Sequence, residues 1–221
     1  MKILYLYGFA SGPQSDKALY FKEKFSNLVG SIDFKIYDYT PNEKSFTNMK
    51  TSVILENLKS YIQRNYQDDL ILFGSSFGAL LAFWYANLQL QQNKVSKLIL
   101  MAPALRFNAE SLLDTLNITT EEWKKQEFVL IDHYRYGEKI PLKFDFYKDL
   151  KANPPPNFQE IDIAIPTLIL HAKNDEVCPV EWSMRYAKTQ RMVQLQILDG
   201  DHQLLNQKDI MWKFIKKFLS F

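Results

Sequence analysis

The reading of the fold turns on one stretch, Leu70-Ile71-Leu72-Phe73-Gly74-Ser75-Ser76-Phe77-Gly78-Ala79. Residues 70–74 read as a strand that is apolar at nearly every position, the pattern of a strand covered on both sheet faces. Residues 77–91 read as a helix, apolar almost all round at its start and therefore buried. Between them lies a sharp turn that carries Ser76. A serine hydroxyl attacks a carbonyl only when it is raised into the open beside a base. A strand-to-helix turn does this but crowds the backbone, and Gly74 and Gly78 relieve the crowding two positions on either side. Ala79 and Ala82 suit the close helix–strand packing that follows. The helix N-terminus adds partial positive charge where an oxyanion would form. A G-x-S-x-G pentapeptide is also compatible with a plain turn; its strand–turn–helix setting makes Ser76 the candidate nucleophile.

Outward from this stretch, further apolar runs at 2–8, 32–39, 95–102, 167–171 and 193–198 read as strands. Run 32–39 alternates more than the others and suits an edge. Helix-like periodicity appears at 15–28, 48–66 and 206–219. In the last of these, Ile210, Phe214 and Phe218 share a face opposite Lys213, Lys216 and Lys217, a basic amphipathic pattern read as packing on the sheet rather than on a membrane. Strands alternating with helices predict an α/β domain: about six mostly parallel strands with helices on both faces. Residues 105–161 break the alternation with aromatic, charged, irregular sequence ending in Pro154-Pro155-Pro156. Roughly 55 structureless residues are implausible in a compact domain. The segment is therefore expected to be a small helical insertion, a lid, within a single domain spanning 1–221. Its aromatics Trp123, Phe128, Tyr134, Tyr136, Phe144, Phe146 and Tyr147 are expected to form its own core, with a few facing a bound ligand.

The bulk numbers narrow the classes. With 221 residues, 47% hydrophobic and 24% charged, the chain has enough apolar mass for one sizeable core. A net charge of +2 without a dense basic run argues against a nucleic-acid partner. The apolar run after Lys2 is short and is followed at once by Gly8, Ser11, Gly12 and Pro13, so it reads as a first strand and not a signal peptide. No stretch is long enough to span a bilayer. The one cysteine, Cys178, excludes an internal disulfide and fits a reducing cytoplasm; it reads as a small apolar residue. No His/Cys/Asp/Glu cluster has metal-ligand spacing, so neither a metal nor another cofactor is expected.

A base for Ser76 must come from three histidines. His133 lies in the insertion, a poor place for a rigidly held base. His171 ends an apolar strand and reads as a buried histidine bonded to the backbone of a nearby loop. His202, in Asp199-Gly200-Asp201-His202, follows the last strand and precedes the last helix, where it can reach a serine at the carboxyl edge of the sheet. The acid that would hold its imidazole is Asp175, which follows strand 167–171; Asp199 and Asp201 read as turn formers. The chain order Ser76, Asp175, His202 is consistent with such a sheet. Two backbone N–H groups would bind the oxyanion, those of Phe77 and of Phe9 in the loop Tyr7-Gly8-Phe9-Ala10-Ser11-Gly12-Pro13. That loop lacks the spacing of a nucleotide-binding glycine turn.

Taken together, this loop, Gly74–Ala79, His171-Ala172-Lys173-Asn174-Asp175 and Asp201-His202 resemble the YqiA/YcfP-type branch of the α/β-hydrolases, as does Ser15-Asp16-Lys17 at the start of the first helix. The resemblance covers most of the chain. It implies an α/β-hydrolase fold, a compact cytoplasmic esterase, and Ser76, Asp175 and His202 as catalytic triad. The relatives usually carry His-Gly-Phe in the first loop, where this chain has Tyr7-Gly8-Phe9. That histidine supports the loop and is not the base, so the triad is unaffected. The expected function is a serine hydrolase cleaving a small-molecule acyl ester or thioester, with a non-catalytic hydrolase-fold protein that holds a ligand or a partner as the alternative. Oligomeric state leaves no mark on the sequence.

Overall fold

The apolar runs assemble into one sheet. In the computed structural model, which describes residues 1–67, 69–88 and 94–221, six parallel strands lie in the order β2-β1-β3-β4-β7-β8. They are β1 (Lys2–Leu6), β2 (Asp33–Ile36), β3 (Leu70–Ser75), β4 (Val95–Met101), β7 (Thr167–Ala172) and β8 (Val193–Leu198). The alternating strand 32–39 is indeed an edge, while β1, β3, β4 and β7 are buried on both sides.

Two cores result. On one face, Ile3, Tyr5, Ile71, Phe73 and Leu170 pack beneath α1 (Asp16–Ser26) and α9 (Lys208–Leu219). On the other, Leu4, Leu72, Leu100 and Ile169 meet α3 (Thr51–Asn65), α4 (Phe77–Leu88) and α8 (Val180–Thr189). The basic C-terminal helix accordingly buries Met211, Trp212, Ile215 and Leu219 against the sheet. Residues 89–91 of the expected helix 77–91 lie outside the described residues. Helix α8 is not announced by hydrophobic periodicity, because only Val180, Ser183 and Tyr186 are buried and one of the three is polar. A short α2 (Glu43–Thr47) precedes α3. Among the described residues, no helix is long and apolar enough to cross a membrane.

The segment between β4 and β7 departs from the all-helical expectation. It holds α5 (Ala109–Leu116), α6 (Thr120–Gln126) and α7 (Asp145–Ala152), but also an antiparallel hairpin, β5 (Phe128–His133) and β6 (Glu138–Lys143). Ile131, His133, Ile140 and Leu142 alternate inward with period two, a pattern masked in the sequence by the exposed Phe128 and Leu130. Trp123 is buried against Phe144 and Tyr147, and its indole N–H donates to the Leu142 carbonyl at 3.3 Å.

Candidate active site

Ser76 sits where β3 turns into α4 with a left-handed backbone, φ +54°, a conformation costly for any residue with a Cβ. Packing holds it there. Its N–H donates to Met101 O at 2.8 Å, and its carbonyl accepts from Ala79 and Leu80 at 3.0 and 3.1 Å. Both flanking glycines are required sterically. A Cβ on Gly78 would lie 2.2 Å from the Leu6 carbonyl oxygen, and one on Gly74 would lie 2.4 Å from the Gly78 oxygen. The turn is thus wedged against the end of β1.

The parallel sheet brings the loops after β3, β7 and β8 to one edge. Ser76 Oγ is 2.9 Å from His202 Nε2. His202 Nδ1 lies 2.8 and 3.0 Å from the two Asp175 carboxylate oxygens. With Nδ1–H donating to the carboxylate, Nε2 is free to accept the serine proton. The Asp175 side chain is fully buried and that of His202 is 14% exposed. Burial opposes the charge on Asp175. Hydrogen bonds from His171, His202 and the Cys178 amide outweigh it and hold the carboxyl well below the usual carboxylate range. Asp201 accepts from the amides of Gln203 and Leu204, as a turn former does, and Glu176 is exposed. His133 is buried between Phe46 and Tyr136, with no hydrogen-bond partner among the described residues on either ring nitrogen.

Three neighbours of this cluster are not legible from sequence spacing. His171 Nε2 is 2.7 Å from the Cys178 carbonyl, the backbone contact anticipated for it, and also 3.2 Å from Asp175 Oδ2. Lys17 is buried with its charge facing Asp175 and Asp201; desolvation brings its pKa down to about 8. Cys178 borders the nucleophile, and burial pushes its thiol up to about 12, which keeps it protonated. Asp175, Cys178 and His202 each place a ligand atom within 4.8 Å of the others, a grouping that chain separation conceals. The set suits a metal poorly, because both Asp175 oxygens are already taken by N–H donors.

On the other side of Ser76, the amides of Phe9 and Phe77 have no acceptor among the described residues, and their rings meet edge to face at 5.8 Å. The loop bearing Phe9 is fixed from outside itself. Tyr39 Oη donates to the carbonyl of Gly8 at 2.8 Å and lies 3.1 Å from that of Tyr7. Tyr7 Oη in turn donates to Asp38, so the tyrosine at this position supports the loop through its hydroxyl. Arg135, at the hairpin tip, binds Asp38 at 2.9 Å and the Thr40 carbonyl at 3.2 Å, and the Tyr134 N–H donates to Ala10 O at 2.9 Å.

Ser76 opens into a cavity of about 280 Å³, walled by Phe9, Phe77, Leu105, Phe107, Leu112 and Trp182, with Arg106, Asp114 and Thr115 also in its lining. The guanidinium carbons of Arg106 and Arg185 lie 5.0 and 4.8 Å from the Trp182 ring centre and pin the indole in place. Of the aromatics expected to face a ligand, none is on this wall. Phe146 packs against three of the wall's rings, Phe9, Phe77 and Phe107. The pocket aromatic of the insertion is instead Phe107.

A six-stranded parallel sheet, covered on both faces and interrupted after β4, is the fold of the α/β-hydrolases. Solved structures share it. Alpha/beta hydrolase domain-containing protein 10 from mouse superposes with a TM-score of 0.77 at 19% identity, covering 99% of this chain and 89% of that one. Est1E from Butyrivibrio proteoclasticus, solved with ferulic acid bound, gives 0.76 at 16% identity, over 100% of this chain and 90% of that one. The Paleococcus ferrophilus monoacylglycerol lipase gives 0.73 at 14% identity, over 99% and 93%. At such identities the likeness concerns the fold. The family is defined by sequence: residues 2–220 match the uncharacterised protein family UPF0227, the YqiA-type family, and the chain belongs to it. No curated protein matches the chain significantly.

Proposed function

We propose that this protein is a serine esterase or thioesterase with Ser76 as nucleophile, His202 as general base and acid, and Asp175 as the residue that orients and charges the imidazole. The observation that carries this reading is the continuous bond chain from Ser76 Oγ through both His202 nitrogens to a buried carboxylate, opening onto a cavity. His202 takes the Ser76 proton as Oγ attacks the carbonyl carbon, and the Phe9 and Phe77 amides hold the oxyanion. The imidazolium then protonates the departing alkoxide or thiolate. Water, deprotonated by His202, releases the acyl group from Ser76. Every proton moves between serine, histidine, leaving group and water, so the scheme needs no cofactor.

The cavity supports a substrate class. At about 280 Å³ it lies just below the usual range of ligand sites, about 300 to 1,000 Å³, and its apolar walls suit an acyl group of short to medium length. The segment 105–161 acts in this reading as the lid, since it contributes Leu105, Phe107 and Leu112 to the wall. The esterase and lipase among the similar folds agree with the assignment, and the free thiol of Cys178 agrees with a cytoplasmic setting.

The test is hydrolysis of p-nitrophenyl esters of graded chain length, and of acyl-CoA, by wild type and Ser76→Ala. Expected are rates that peak at short to medium chains and fall by about 10⁴-fold or more in the variant. Equal residual rates in the variant would overturn the serine mechanism. A folded wild type that never reacts with a fluorophosphonate probe would favour the non-catalytic binding protein.

A further inference from the structure

Asp175 is held by two histidines, one of which has no place in acyl transfer. Oδ1 accepts from the Val177 and Cys178 amides at 3.0 and 2.7 Å. Oδ2 faces His202 Nδ1 at 2.8 Å and His171 Nε2 at 3.2 Å. Both the His171 and Asp175 side chains are fully buried. The far side of the His171 ring is also engaged, with Nδ1 2.7 Å from Ser183 Oγ on α8.

We propose that His171 is a positioning residue of this site: a neutral imidazole, fixed as its Nε2–H tautomer by Ser183, that aims the Asp175 carboxylate at His202 and ties the acid's loop to the helix walling the cavity.

The tautomer follows from the acceptors around the ring. Nε2 faces two oxygens that can only accept, the Cys178 carbonyl and the Asp175 carboxylate, so it carries the proton. In the proposed neutral ring Nδ1 has a lone pair, and the Ser183 hydroxyl donates to it. A flipped ring state would set a lone pair against a buried carboxylate, which is costly in a low-dielectric interior. The consequences run two ways. His171 spans the turn 175–178, bonding the carbonyl of Cys178 while Asp175 bonds its amide, so the carboxylate cannot rotate away from His202. Through Ser183 it also anchors α8 next to Trp182 on the cavity wall. The charges around the acid are completed by Lys17, whose electrostatic influence on Asp175 supports the anion.

The inference rests on the Ser76–His202–Asp175 assignment, so its test includes a readout that does not need turnover. Imidazole ¹⁵N NMR of the whole chain is recorded against pH for wild type, His171→Gln, His171→Leu and Ser183→Ala. His171 is expected as the Nε2–H tautomer. Removing its N–H leaves more charge on Asp175, which stabilises the His202 imidazolium, so the His202 resonances and the acid limb of kcat/KM move to higher pH. His171→Gln, which retains an N–H donor, is expected to move them less than His171→Leu. In His171→Leu, kcat falls about ten- to hundredfold, the loss expected for one hydrogen bond to a charged group, with KM moving less. Ser183→Ala, a mild change on a helix, preserves the fold and gives a smaller shift in the same direction. A His171 found as Nδ1–H or as imidazolium would overturn the proposal. So would folded variants in which the His202 titration stays where it was. If the NMR shifts appear but Ser76 never reacts with a fluorophosphonate, the esterase reading fails while the role of His171 toward Asp175 stands.

Discussion

The two sides of Ser76 are built by different means. On the acid–base side, His202 and Asp175 come from loops that directly follow β8 and β7, and charge-assisted hydrogen bonds hold them. On the side proposed for the oxyanion, the groups offered are neutral backbone amides, which cannot choose their own direction. Their loop is steered by Tyr39, Asp38 and Arg135, the last from a hairpin about half the chain away. One side carries its own chemistry in side chains. The other is tied to the insertion, where Arg135 bonds Asp38 and the Thr40 carbonyl and the Tyr134 N–H donates to Ala10 O.

The largest effect that separates the sides is expected from His202→Ala. Without its base, kcat should fall by about 10⁴-fold or more, and the remaining acceleration over water measures what the oxyanion side and binding contribute alone. A steady-state assay with active-site titration reads it; a loss of tenfold or less would remove His202 from the mechanism.

Next comes Lys17, behind the acid. Its folded pKa of about 8 lies below the ordinary 10.5, so its burial penalty is present in full below pH 8 and is relieved as pH rises toward 10.5. Lys17→Met is expected to be more stable than wild type at pH 7 by about 3 kcal/mol at most, an advantage that shrinks across that window. Denaturant midpoints between pH 7 and 10.5 test this, and a constant difference would show that Lys17 does not titrate there. In acid the sign reverses for Asp175. Its depressed value supports the fold above the ordinary carboxylate pKa of 3.8, and that support is lost as pH drops below it.

Arg135→Met probes that tie. Losing the contacts to Asp38 and Thr40 is expected to lower kcat about tenfold, a fraction of the cost of deleting an oxyanion donor outright, with KM nearly unchanged. An unaltered kcat would mean that the loop after β1 holds the Phe9 amide by itself.

The same contrast explains what could be read in advance. Strand 70–75, the glycines around Ser76 and the loops of Asp175 and His202 announce themselves, because apolar runs, turn residues and titratable side chains are properties of the local sequence. The hairpin went unread because exposed Phe128 and Leu130 hide its alternation, and α8 because Ser183 interrupts an already narrow apolar stripe. His171 could be recognised as buried and bonded to a loop, but not as a partner of Asp175. That contact depends on how the chain turns between 172 and 178.

From the sequence alone came a parallel α/β sheet, the strained position of Ser76, and the two residues, His202 and Asp175, that the fold brings into a hydrogen-bonded chain with it, since burial pattern and side-chain chemistry are written residue by residue. The tertiary structure alone decided which aromatics wall the cavity, how the hairpin bonds the loops after β1 and β2, and how Lys17, His171 and Cys178 gather around one carboxylate. Those depend on distances between segments far apart in the chain, and only the packing of the sheet, its helices and the insertion sets them.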